Sequence, residues 1–273
     1  MIEFLRELNT LAIAGTLFVL MVLAIEIGFR VGLWFTKESN DAARSHVGGV
    51  LSSLLGILAL LLGFTFSMAL QRFDNRSVAL VEEANAIGTC YLRAALLTES
   101  VRSDAQKMLQ DYIALRVEDS SLTLVDVEKR AALQERTNRQ LNALWRLAVA
   151  ATELDANPVR TGYFVQALND TIDAYGRRQA ALGRHVPKEV LYLLACVFLM
   201  TGGVLGYSTG VAGHRPSLVS HVLVALIVIL VFIIVDLDRP RRGLIRVDQT
   251  SMIQLKESVD AELGAIAVKA SAR

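Results

Sequence analysis

The chain is predicted to be an all-α integral membrane protein with four spans, two on either side of a charged, water-soluble helical segment. Three observations predict this. Mean hydropathy is +0.43 and 53% of the 273 residues are hydrophobic, a balance unusual for a soluble globular chain. Four apolar runs approach or exceed the roughly 20 residues that a bilayer core demands. The stretch between the second and third runs is instead rich in Ala, Leu, Glu, Arg and Gln, with apolar residues at helical spacing.

Each span follows from its own residues. Residues 47–70 and 190–213 contain no charged side chain, which predicts spans over 47–70 and about 190–211. Residues 218–235 are interrupted only by His221. The first span, about 10–34, is apolar through Ile25 and then carries Glu26 and Arg30 before Trp34-Phe35. Glu3 and Glu7 lie beside Arg6 and no small-residue cleavage site follows, which argues against a signal peptide. Arg72, Arg76, Arg184 and Lys188 flank the middle segment, and Arg239, Arg241, Arg242 and Arg246 follow the last span. The loops 34–46 and 211–217 hold only Lys37, Arg44 and Arg215 as basic residues. This asymmetry predicts that both termini and the middle segment are cytoplasmic. The organisation expected is a first transmembrane pair over 1–70, a cytoplasmic helical region over 71–188, a second pair over 189–236 and a tail over 237–273.

Within the middle segment, Val78, Val81, Ala84, Ile87, Tyr91 and Ala94 form one stripe with no breaker but Gly88, so the second span is expected to continue as one helix to about residue 97. Such a helix would be roughly 75 Å long at 1.5 Å per residue. Further helices are expected over 101–117, 125–154 and 159–184, with turns at Ser120-Ser121 and Asn157-Pro158 and with Pro187 opening the third span. Cys90 and Cys196 are the only cysteines; one falls in the middle segment and the other in a span, so no disulfide framework is expected.

Chemistry-bearing motifs are sparse. No phosphate-binding glycine loop, Gly-x-Ser-x-Gly elbow, His-x-x-x-His pair or Cys-x-x-Cys occurs. No enzyme activity and no cofactor are therefore expected, and with a net charge of +1 and no basic, aromatic-interleaved cluster, no nucleic-acid partner. Glu82 and Glu83 are adjacent and diverge by about 100° on a helix; one solvated face and one interhelix pairing is the simpler reading, and a cation-attracting ring around an oligomer axis is the other. His46, His214 and His221 lie at or near outer span ends and His185 near an inner end, which fits interfacial hydrogen bonding or an external pH or zinc sensor. Glu26 and Arg30, four apart, can pair within the first span, either to neutralise charge near lipid or to line an aqueous path.

One stretch carries a family likeness. Leu62-Gly63-Phe64-Thr65-Phe66-Ser67, with Arg72-Phe73 beginning eight residues after Phe64, resembles the pore-lining helix of the bestrophins. More widely, Arg72-Phe73-Asp74-Asn75-Arg76, the run from Glu82-Glu83-Ala84-Asn85 to Arg93-Ala94, and Asp236-Leu237-Asp238-Arg239-Pro240-Arg241-Arg242-Gly243 resemble a bacterial family described as bestrophin-like. The resemblance implies a homo-oligomeric, most simply pentameric, ion channel of the bacterial inner membrane, with lipid and inorganic ions as its partners. It also implies an apolar neck on the second span at Gly56, Leu60 and Phe64, which steps of four keep on one ridge. Gly56 is smaller than the residue usual there, Asp74 interrupts the aromatic pair after Arg72, and no acidic calcium clasp is present, so calcium gating is not implied. The small residues Gly48-Gly49, Ser52-Ser53 and Gly56 also fit plain helix packing. A membrane-anchored interaction or stress-signalling scaffold is the competing function. Ion selectivity is left open, with Glu82-Glu83 favouring cations and Arg72 and Arg76 at the inner mouth favouring anions.

Overall fold

A computed structural model describes residues 10–35, 41–122, 127–155, 157–215, 217–239 and 244–271. These form eight helices: α1 (Thr10–Trp34), α2 (Asp41–Ala94), α3 (Glu99–Ser121), α4 (Val127–Leu154), α5 (Pro158–Gly183), α6 (Lys188–Val211), α7 (Leu218–Leu237) and α8 (Thr250–Ser271), with no strand among the described residues. Four helices are long and apolar enough to cross a membrane, their apolar stretches falling in α1, α2, α6 and α7.

The second span and the helix beyond it are one element of 54 residues, about 80 Å at 1.5 Å per residue. It starts earlier than expected, at Asp41, so Arg44 and His46 belong to its first turns rather than to a loop; Lys37 lies outside the described residues. Gly88 does not break the helix. A Cβ there would press on Leu255 Cδ1 at 3.2 Å, so its smallness serves packing.

Elsewhere the boundaries move by a turn or less. Ser120 and Ser121 are not a turn but the last residues of α3, their hydroxyls donating to Val117 O (2.6 Å) and Glu118 O (2.7 Å). Asn157 caps α5 by accepting from the Val159 amide at 3.1 Å, and Pro158 occupies the first helical position, where its missing N–H costs nothing. Pro187 is the cap of α6.

The chain divides into two compact units. The first comprises the described parts of 1–73 and 185–246. Its core joins Met21 and Ile25 of α1, Leu58, Leu62 and Ala69 of α2, Leu194 and Phe198 of α6, and Val224, Val231 and Ile234 of α7. Glycines draw α1 against α6. A Cβ on Gly206 would fall on the Ile25 carbonyl, one on Gly28 on the Gly203 carbonyl, and one on Gly210 on the Phe29 carbonyl. Helix backbones can approach this closely only where side chains are absent. Polar groups here are satisfied locally: Thr65 and Thr201 donate to Leu61 O and Val197 O, each at 2.7 Å.

At the end of α7, Asp236 is fully buried and accepts from the amides of Leu244 (3.0 Å) and Ile245 (2.8 Å), so it folds the following chain back on the helix. Asp238 accepts from the Val186 amide at 2.9 Å, and the His185 ring lies 3.0 Å from the Asp238 carbonyl. Residues 240–243 of this motif lie outside the described residues.

The second unit comprises the described parts of 74–184 and 247–273. Its core is built by Ile87, Cys90, Tyr91 and Ala94 of α2, Leu109 and Tyr112 of α3, Leu141 and Leu144 of α4, Phe164 and Leu168 of α5, and Met252 and Val259 of α8. The tail helix is thus part of this core.

Candidate functional site

The exposed face of α2 is the candidate site. Among the four apolar windows, the chain itself buries 28% in three and only 11% in the α2 window. Leu60 and Phe64 are 60% and 62% exposed, and Ile57 is also open. Would-be Cβ atoms on Gly48, Gly49, Gly56 and Gly63 meet nothing within 4 Å. The glycines of the small-residue run that fits helix packing in the sequence therefore meet no neighbour among the described residues; the span glycines that do pack are those of α1 and α6. Gly56, Leu60 and Phe64, predicted to share a ridge, are all exposed on it.

Opposite this ridge, α2 is anchored. Leu58, Leu62, Thr65 and Ala69 are buried in the first unit. Arg76 is 2% exposed and donates to Ala181 O (3.3 Å) and Arg184 O (2.7 Å). Glu83 is fully buried. It accepts from Arg116 Nε at 2.7 Å and from Arg178 at 2.5 Å, with the Tyr112 hydroxyl at 3.4 Å. Arg116 also reaches Asp119 at 3.4 Å and stacks 4.9 Å over the Tyr175 ring, and Arg178 reaches Gln249 at 3.1 Å. Burial pushes the Glu83 carboxyl up, but the two guanidiniums more than offset that and hold it below the ordinary carboxylate range. Two cations and two carboxylates close the network electrically, which is what permits charge at such depth.

Arg76 and Glu83, expected at an inner mouth, are therefore turned into the chain's own core. Arg72 is half-buried. Glu82 stays at the surface, 3.5 Å from Arg177, with both side chains about half exposed.

Of the remaining candidates His46 lies on the open face of α2, about 40° from Leu60 by helical phase, and the rest lie elsewhere in the chain. Glu26 and Arg30 pair at 2.8 Å on α1 and are both substantially exposed. His46, His214 and His221 are exposed; His221 sits 2.9 Å from Ser217 O. No three His, Cys, Asp or Glu residues among those described come together to hold a metal ion.

Sequence reasoning missed two features. Gly28 and Gly32 on α1, and Gly202, Gly206 and Gly210 on α6, repeat every four residues, and that spacing was the available signal. Arg116 and Arg178 carried no signal, since nothing local distinguishes them from the surface arginines around them.

A family model described as a Bestrophin-like domain matches residues 18–252. No protein of curated description matches. Solved structures do. Crystal structures of two single-residue variants of a bacterial bestrophin homologue from Klebsiella pneumoniae are similar to this chain. One is 15% identical with a TM-score of 0.65, covering 91% of this chain and 98% of the other. The second is 14% identical with a TM-score of 0.62, covering 89% and 97%. At such identity the likeness is one of fold.

Proposed function

The chain belongs to the Bestrophin-like family, and from that membership we propose that it is an oligomeric ion channel in which α2 of each copy lines a common axis. Five copies in the bacterial inner membrane, with both termini cytoplasmic, is the arrangement proposed. Gly56, Leu60 and Phe64 form its apolar neck, and no enzymatic step is involved. The observation that carries this reading is the open ridge of α2. The chain buries only 11% of the α2 window against 28% of each of the other three, so α2 has the most surface left for neighbours or water, and Leu60 and Phe64 lie on it, 60% and 62% exposed. Rings of apolar side chains gate by dewetting, so Leu60 and Phe64 are the gate and Gly56 widens the level outside it.

Purified protein in liposomes is expected to pass ions, and Phe64→Ala is expected to raise the flux several-fold. Ion-tight vesicles together with a monomer by native mass spectrometry would overturn the proposal. The scaffold reading has one observation in its favour: Trp145, Val149, Leu154, Val159 and Tyr163 are exposed on the second unit. In a scaffold, polar changes on the Gly56, Leu60 and Phe64 ridge would leave vesicles as ion-tight as before.

A further inference from the structure

The fold breaks the tie between acidic and basic residues that the sequence leaves open at the inner end of the neck, and the inference drawn from it rests on the channel reading above. Val78 is exposed on the part of α2 that belongs to the second unit, and a line along the helix through it gives the phase of that part. That line marks the middle of the open face. At 100° per residue, Asp74 and Glu82 lie about 40° to either side of it, while Arg72, Arg76 and Glu83 lie roughly 120–160° away.

Exposure agrees with this phase. Asp74 and Glu82 are exposed, with Gln71, Asn75, Asn85 and Thr89 between and beyond them. Arg76 is bound to two backbone carbonyls, and Glu83 is neutralised by two guanidiniums. Arg93, about 60° from the line, is half-buried, lies 5.6 Å over the Tyr163 ring and donates to the Tyr163 carbonyl at 3.3 Å. Arg177 approaches Glu82 from another helix at 3.5 Å, with both side chains about half exposed. So loose and hydrated a pair is readily exchanged for water, but Arg177 brings its own positive charge beside Glu82, so exposed Asp74 supplies the larger share of the negative field.

We infer that the passage selects inorganic cations over inorganic anions, with Asp74 and Glu82 of every copy supplying the charge and Gln71 and Asn85 a neutral polar lining. One carboxylate per copy becomes a ring when copies surround an axis, and such rings concentrate counter-ions in a confined passage.

The full chain in planar bilayers under a potassium chloride gradient tests this through its reversal potential. Potassium is expected to permeate about tenfold or more over chloride. The double change Asp74→Asn with Glu82→Gln is expected to bring that ratio close to unity. Asn85→Lys, which removes nothing and places a cation on the same face, should lower it as well. A chloride preference in a protein whose conductance rises in Phe64→Ala would overturn the inference and leave the channel reading standing. A cation preference that both sets of variants leave untouched would overturn the assignment to Asp74 and Glu82. No conductance in either wild type or Phe64→Ala would overturn the channel reading itself, and the inference with it.

Discussion

The two faces of α2 are made from the same helix and meet opposite fates. Its inward face carries Leu58, Leu62, Thr65, Ala69, Arg76, Glu83, Ile87 and Cys90, all buried and all with partners or packing in the chain. Its outward face carries Leu60, Phe64, Val78, Glu82, Asn85 and Leu92, all exposed. Neighbours in sequence therefore differ in kind: Phe64 against Thr65, Glu82 against Glu83, Thr89 against Cys90. Inward residues make the fold, and outward residues are free to make function.

The sharpest way to break this comparison is through glycine. Gly206→Leu drives a side chain into the Ile25 carbonyl and is expected to cost upwards of about 4 kcal/mol, read as loss of monodisperse, folded protein in detergent. Gly56→Ala, whose added methyl meets nothing within 4 Å, should leave thermal unfolding unchanged or raise it slightly, by about 1 kcal/mol at most.

Next in size is the Glu82 and Glu83 pair. Glu83→Gln strands two buried guanidiniums and is expected to cost roughly 3–5 kcal/mol, whereas Glu82→Gln should stay within about 0.5 kcal/mol. The pH dependence has a definite sign. A carboxyl held below its ordinary value of 4.5 contributes stability that is complete above that pH and is lost as pH falls through its lower, folded-state value. Acid unfolding followed by circular dichroism should flatten at the low-pH end in Glu83→Gln. Equal acid profiles in the two single variants would erase the distinction between the faces.

Much of this was legible in the sequence, for identifiable reasons. Uncharged runs and the missing breaker between residues 47 and 97 specify the spans and the continuous helix, because a bilayer tolerates little else. The 100° step also says that Glu82 and Glu83 part company. What it cannot say is which of them turns inward, because that depends on Arg116 and Arg178, 33 and 95 residues away. For the same reason Arg76 reads as a mouth residue until the carbonyls of Ala181 and Arg184 are found beside it. The glycine spacing on α1 and α6 is visible in each helix alone, but only the fold identifies them as each other's partners.

Smaller effects sharpen the comparison further. Leu62→Ala opens a cavity at a buried site and is expected to cost about 2–4 kcal/mol, while Phe64→Ala should barely move the melting temperature even as it raises flux. The least energetic contrast is chemical. Burial pushes the Cys90 thiol up to about 12, whereas a cysteine placed at exposed Thr89 should titrate near 8.5 and label with maleimide about a thousand-fold faster at pH 8. Comparable labelling rates would show that the second unit opens in its native state.

The glycine seam between α1 and α6 bears on how the protein is made. Gly28 and Gly203 are about 175 residues apart, so at 5–20 residues per second the ribosome needs roughly 10 to 35 s to deliver the second after the first. Throughout that interval α1 sits in the bilayer with a bare backbone groove and a Glu26–Arg30 pair, and its eventual partner does not yet exist. The first span consequently completes its packing only after the intervening segment has been synthesised, so its bare groove faces lipid until α6 arrives.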